Sequence, residues 1–225
     1  MKCGTATCLR CGTDDMRKFP ASALKKFSNE FSVFKKLDSP GKVQDFLDGL
    51  RINFETKHAT LRSPLMVLRH KEAHCVEGAM LAAAAFWYHA RPPLLLDLVT
   101  SPDDYGHVVA LFRQGNRWGA AGKTNHAVLQ YRDPVYTGAR EIAMSYFNEY
   151  FLDSGIKTLR SYSAPFDMRV LADDWLTARR NLWEVNDALD AAPHTDILGK
   201  GGVRLLRPAR PLEIKAGKIV QWKRK

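Results

Sequence analysis

The chain has 225 residues and a mass of 25.4 kDa, 45% of it apolar and 26% charged, enough to bury a real core and unlike the make-up of disordered, collagenous or coiled-coil chains. The longest apolar run, 79–88, is far short of the roughly 20 residues of a membrane-spanning helix, and Asp14, Asp15, Arg17 and Lys18 break the first twenty residues where a secretory signal needs an unbroken apolar stretch. The expectation is a cytoplasmic globular protein with no membrane partner, whose net charge of +10 makes nucleic acid one partner class to weigh.

Cys3, Cys8 and Cys11 open the chain. Three thiolates are one ligand short of a structural zinc site, with His58 the only other early donor, so neither metal nor cofactor is expected. Leu24, Phe27, Phe31 and Phe34 recur at helical spacing across 19–37 and predict one amphipathic helix or two short ones. Ser39-Pro40 reads as a helix cap and first residue, followed on one face by Val43, Phe46, Leu47 and Leu50. An irregular stretch through Arg62-Ser63-Pro64 precedes a strongly helical segment at 75–89, which Arg91-Pro92-Pro93 ends.

Strand character follows at 94–99, 107–112, 117–121 and 127–131, punctuated by Ser101-Pro102-Asp103-Asp104 and Gln114-Gly115-Asn116. Helices are expected at 138–151 and 173–191, and a hairpin from 203–206 and 212–222 around Ala216-Gly217. The chain divides on this reading into an N-terminal segment (1–38), a core (39–136) and a C-terminal extension of helices and hairpin packed on it (137–225). The fold class is α+β, with a central helix on an antiparallel sheet.

Cys75 is placed in the first turn of that central helix, where free N–H groups and the helix dipole favour a thiolate. Ala79, Ala82 and Ala83 leave room for a strand to approach closely, and His107 opens the apolar run 107–112. A cysteine and a histidine so placed form an activated-nucleophile pair; the same residues also fit a small buried thiol and an ordinary strand-end histidine. His70 and His74 stand four apart without the H-E-x-x-H order of a zinc helix, and read as solvated or cleft-lining, with His74 near enough to influence the thiolate.

The segments Arg62-Ser63-Pro64, Val67-Leu68, Cys75-Val76-Glu77-Gly78-Ala79-Met80, Pro93-Leu94-Leu95-Leu96-Asp97-Leu98, His107-Val108-Val109-Ala110-Leu111-Phe112 and Trp118-Gly119-Ala120, in that order, resemble the transglutaminase-like superfamily of papain-like folds, over about residues 40–136. The resemblance implies Cys75 as nucleophile, His107 as general base and an orienting acid on the next strand, at a position occupied here by Gly122. Asn125 is the candidate replacement, since an amide can orient an imidazole; it reads equally as a turn residue. Thr124 comes next, and Asp133 and Asp97 are acidic substitutes farther away. The implied activity is a thiol-dependent acyl hydrolase or transferase acting on a peptide or protein. The alternatives are a catalytically impaired binding module for such a partner, or nucleic-acid binding through a basic C-terminal third that carries Arg204, Arg207, Arg210, Lys215 and Lys218 but no recognised motif.

Overall fold

The structure, a computed structural model, describes residues 18–223; Cys3, Cys8 and Cys11 lie outside them. In chain order the helices are α1 (Ala21–Lys26), α2 (Ser28–Phe31), α3 (Pro40–Gly49), α4 (Pro64–His70), α5 (Cys75–Tyr88), α6 (Ala139–Phe147), α7 (Trp183–Asp190) and α8 (Pro211–Gly217). The strands are β1 (Arg51–Ile52), β2 (Glu72–Ala73), β3 (Leu94–Thr100), β4 (His107–Gln114), β5 (Arg117–Ala121), β6 (Arg132–Tyr136), β7 (Leu159–Ser163), β8 (Phe166–Asp167) and β9 (His194–Asp196). The main sheet runs β6-β5-β4-β3-β7-β9 with antiparallel neighbours, and β8 pairs beside β7 on β3.

Two cores sandwich this sheet. Val108, Ala110 and Phe112 of β4 pack with α5 and the N-terminal helices, while Val109 and Leu111 face Ile142, Ala143 and Tyr146 of α6, the period-two alternation of a strand buried on both faces. α5 is apolar all round and buried from Val76 to Trp87, as a central helix must be. Ser39 and Ser63 cap α3 and α4 by accepting from Lys42 N and Met66 N, each ahead of a proline. Where α5 passes the end of β5 the approach is so close that a Cβ on Gly78 would stand 2.3 Å from the Cβ of Lys123, so only glycine fits.

The expected mixture of helix with an antiparallel sheet is present, and several local expectations need correction. The strand expected at 127–131 is a short turn, Ala127–Leu129, and β6 starts at Arg132. The Arg132 guanidinium donates to the carbonyls of Val128, Gln130 and Tyr131, and Ala127 N donates to Ile219 O, so these backbone groups find partners outside the ladder. The helix expected at 173–191 breaks into a 3-10 turn, Asp173–Leu176, and α7, because Leu182 N, Ala178 O and the Asn181 side chain are taken by Leu61 and Ser63.

The C-terminal hairpin does not form. Pro211 starts α8 instead, with the Glu213 carboxylate accepting from Arg210 N, and the chain beyond bridges Val220 to His126. The extended character of that tail serves a neighbour distant in sequence. Among the described residues no helix is long and apolar enough to cross a membrane.

Candidate functional site

Cys75 is the first residue of α5 and is partly exposed; His74, in extended conformation, is its cap. The N–H groups of the first turn have no partner within the helix, and the dipole at this end favours negative charge on the side chain. His107 is the first residue of β4, paired with Leu98, and only 4% exposed. By strand alternation its ring shares the α6 face with Val109, edge-on to Tyr146 at 6.2 Å, and from the end of the strand it lines the same cavity as Cys75. Burial alone would push the Cys75 thiol up; hydrogen bonds from His107 and then His74, with the charges of both rings, overcome that and bring its pKa down to about 5.

The two histidines are held very differently. His107 Nε2 is buried with no hydrogen-bond partner. It looks at Gly122, where an added Cβ would stand 3.3 Å from Nε2 and 3.0 Å from Val109 Cγ1. The strand end is pinned there by Gln44, which donates to Gly122 O and accepts from Gly122 N, both at 3.0 Å. His74, in contrast, has oxygen partners: its Nε2 lies 2.9 Å from Thr60 O, 3.5 Å from Glu77 Oε1 and 3.8 Å from Glu55 Oε1.

Glu77 is fully buried one turn into α5 and accepts from Asn53 Nδ2, Thr60 Oγ1, Arg62 N and His74 N. Burial disfavours the His74 cation, but the bond to Cys75, the charges of Cys75 and Glu77 and the Thr60 carbonyl outweigh it and raise its pKa to about 9. The acid–imidazole pairing thus stands on the residue before the cysteine. Sequence reasoning placed His74 near the thiolate but gave Glu77 no role; the signal was the cap-to-third-residue spacing His74-Cys75-Val76-Glu77.

None of the candidate orienting residues bonds His107 Nε2. Both amide atoms of Asn125 are spent on the tail, Nδ2 donating to Trp222 O at 2.9 Å and Oδ1 accepting from Trp222 N at 2.8 Å. Thr124 Oγ1 accepts from His126 N, Asp97 pairs with His194, and Asp133 is exposed on β6. Asn125 and Thr124 nevertheless line the same cavity as Cys75 and His107, of about 320 Å³, together with Tyr150 and the fully buried Lys123. Lys123 Nζ donates to Leu50 O at 2.6 Å, and burial lowers its pKa to about 8 against the opposing charge of Asp48. A second cavity of about 340 Å³ is lined by Cys75 with Asp97, Asp104 and Asp190.

Gly122→Asp is expected to add no orienting acid. Its Cβ meets Val109 before the carboxylate has room to turn, so unfolding free energy falls by about 1–3 kcal/mol; Val109→Ala in the same chain should return part of the loss, read by denaturant titration. Among the described residues no three His, Cys, Asp or Glu side chains converge to hold a metal ion. No family model and no curated protein sequence matches this chain.

Proposed function

We propose that the chain is a thiol-dependent acyl hydrolase or acyl transferase with a papain-like, transglutaminase-like core, acting on a peptide or protein. The observation that carries this reading is a partly exposed cysteine at a helix tip that lines two cavities, one of them shared with the buried imidazole of a neighbouring strand, which favours the thiolate.

The Cys75 thiolate attacks an amide or ester carbonyl carbon, and the S–C bond forms as the carbonyl electrons move onto oxygen. Free amides of the first turn of α5, that of Cys75 included, are the donors available to that oxyanion. The intermediate collapses with loss of the amine or alcohol, which takes a proton from an imidazole at the sulfur. Water or an amine then releases the acyl group and regenerates the thiolate.

Incubation of the full chain with p-nitrophenyl acetate tests this. The expected result is a burst of nitrophenolate and an acetyl group on the Cys75 peptide by mass spectrometry, both absent in Cys75→Ala; no acyl adduct on Cys75 would refute the enzyme. The unpartnered His107 Nε2 and the missing side chain at Gly122 favour a second reading, a module that binds a peptide or protein partner in the cleft without turnover. It predicts no adduct in the same experiment, and partner binding that survives Cys75→Ala.

A further inference from the structure

An acyl transfer at Cys75 needs an imidazole that holds a proton while the sulfur is a thiolate and gives it to the leaving group. Two imidazoles, those of His107 and His74, act on this sulfur and favour its thiolate. We propose that His74, oriented by the buried carboxylate of Glu77, is the proton carrier of the site, and that His107 stays neutral and only donates a hydrogen bond to the sulfur. The assignment rests on Cys75 being the nucleophile.

The two rings differ in the partners open to their nitrogens. The contact of His74 Nε2 with Thr60 O at 2.9 Å requires an N–H there, because a carbonyl only accepts. A second proton, which makes the ring an imidazolium, is favoured by a thiolate at Cys75 and by the Glu77 carboxylate beside it. Its surroundings suit that charge: Glu77 Oε1 at 3.5 Å from α5 and Glu55 Oε1 at 3.8 Å from the loop after β1. The nearby cations are already engaged, Arg62 by Glu72 and Lys123 by the Leu50 carbonyl.

A cationic His107 would instead place a charged N–H at Nε2, where no acceptor stands. The bare Cα of Gly122 and the Val109 methyl face it, and the nearby Tyr146 hydroxyl donates to Gln130 O. Burying a charged donor without an acceptor is strongly disfavoured. The neutral ring has one N–H, which it gives to the sulfur. Asp97 and Tyr150 also act on Cys75, and neither supplies a proton acceptor to His107 Nε2.

In the reaction, the leaving nitrogen or oxygen takes the proton of His74 as its bond to carbon breaks. Neutral His74 then takes a proton from the attacking water as the new C–O bond forms, and the S–C bond breaks to return the thiolate.

Long-range proton–nitrogen NMR of the wild-type full chain at pH 7.5 reads the assignment directly. His74 should show two protonated ring nitrogens and His107 one, the assignments made by loss of each pattern in His74→Gln and His107→Gln. A doubly protonated His107 beside a neutral His74 overturns the proposal. Kinetics give a second reading through the rate of acetyl loss from Cys75 after p-nitrophenyl acetate. The rate is expected to fall about 10²–10⁴-fold in His74→Gln and less than about tenfold in His107→Gln, and the reverse order refutes the assignment.

Glu77 is a positioning residue, so Glu77→Gln should move the His74 titration down in pH while the His107 pattern stays. An unchanged His74 titration overturns its role. Failure of the wild-type chain to acetylate at all would instead refute the acyl chemistry itself, a result the NMR pattern does not share.

Discussion

Glu77→Ala should lower the free energy of unfolding by about 3–5 kcal/mol, the range for removing one partner of a buried charged network. The side chain is wholly buried, and its two oxygens accept from Asn53 Nδ2 at 3.1 Å, Thr60 Oγ1 at 2.7 Å, Arg62 N at 2.9 Å and His74 N at 3.1 Å. Alanine leaves two backbone amides and two side chains without that acceptor, at the point where the 53–62 loop is tied to the tip of α5. Glu77→Gln keeps the volume but sets an NH2 among donors, so it recovers only part of the loss. Glu184→Ala is the control: its ion pair with Arg180 is about half exposed on each side, and its removal should cost less than about 1 kcal/mol. Guanidinium titrations with unchanged slope and shifted midpoints measure all three. The same Glu77 variants should raise the pH at which Cys75 ionises, because His74 loses its carboxylate.

The central elements were legible in the sequence because each is decided by its own residues. The segment at 75–89 is rich in alanine and apolar throughout, and nothing but a buried helix accommodates it. Three of the four expected strands, at 94–99, 107–112 and 117–121, match β3, β4 and β5 to within a few residues, since turn residues bound them. The misread elements are those whose backbone partners are remote in sequence. Residues 177–182 leave the helix for contacts with Leu61 and Ser63, and residues 219–222 turn away from a hairpin to bond with 125–127. β7 and β9 were missed because Arg160, Ser161 and Thr195 give them little apolar alternation; their place in the sheet comes from pairing with β3 and with each other.

The meeting of Cys75 with His107 is a property of the helix tip and the strand start, and both ends were marked in the sequence. What surrounds them was not. Gly122 could be read as a missing acid, but that Gln44 would pin its backbone and Val109 would fill the space depends on the approach of α3 to β5, which no local pattern carries. Asn125 has the right chemistry to orient an imidazole, yet it donates to the Trp222 carbonyl and accepts from the Trp222 amide, 97 residues away, which engages both of its amide atoms. His74 and Glu77 lay within two residues of the cysteine, and their pairing follows from cap geometry alone.

The second large effect is the pH dependence of Cys75 alkylation. A thiol with a pKa of about 8.5 becomes more reactive roughly 25-fold between pH 6.5 and 8, following its thiolate fraction. Cys75, with its pKa at about 5, is already a thiolate across that interval, so its iodoacetamide rate should change less than about twofold and fall only below pH 6. The profile decides where a single rate would not: a low-pKa thiolate is intrinsically a weaker nucleophile, and over three pKa units that loss offsets most of the gain in thiolate fraction at pH 6.5. Quantifying the Cys75 peptide by mass spectrometry separates it from the cysteines at 3, 8 and 11. Stability should follow the same ionisation. Cys75 is depressed in the folded state, so its contribution is complete above the unfolded value of about 8.5 and vanishes as pH falls through about 5. His74 is raised, so its contribution is present below its unfolded value of about 6.5 and is lost as pH rises through about 9. From 6.5 to 8.5 the two slopes oppose each other, and between 6.5 and 5 only the cysteine's remains. The wild-type chain should therefore lose stability relative to Cys75→Ala over that lower window, and a difference independent of pH would mean that the sulfur is protonated in the folded protein.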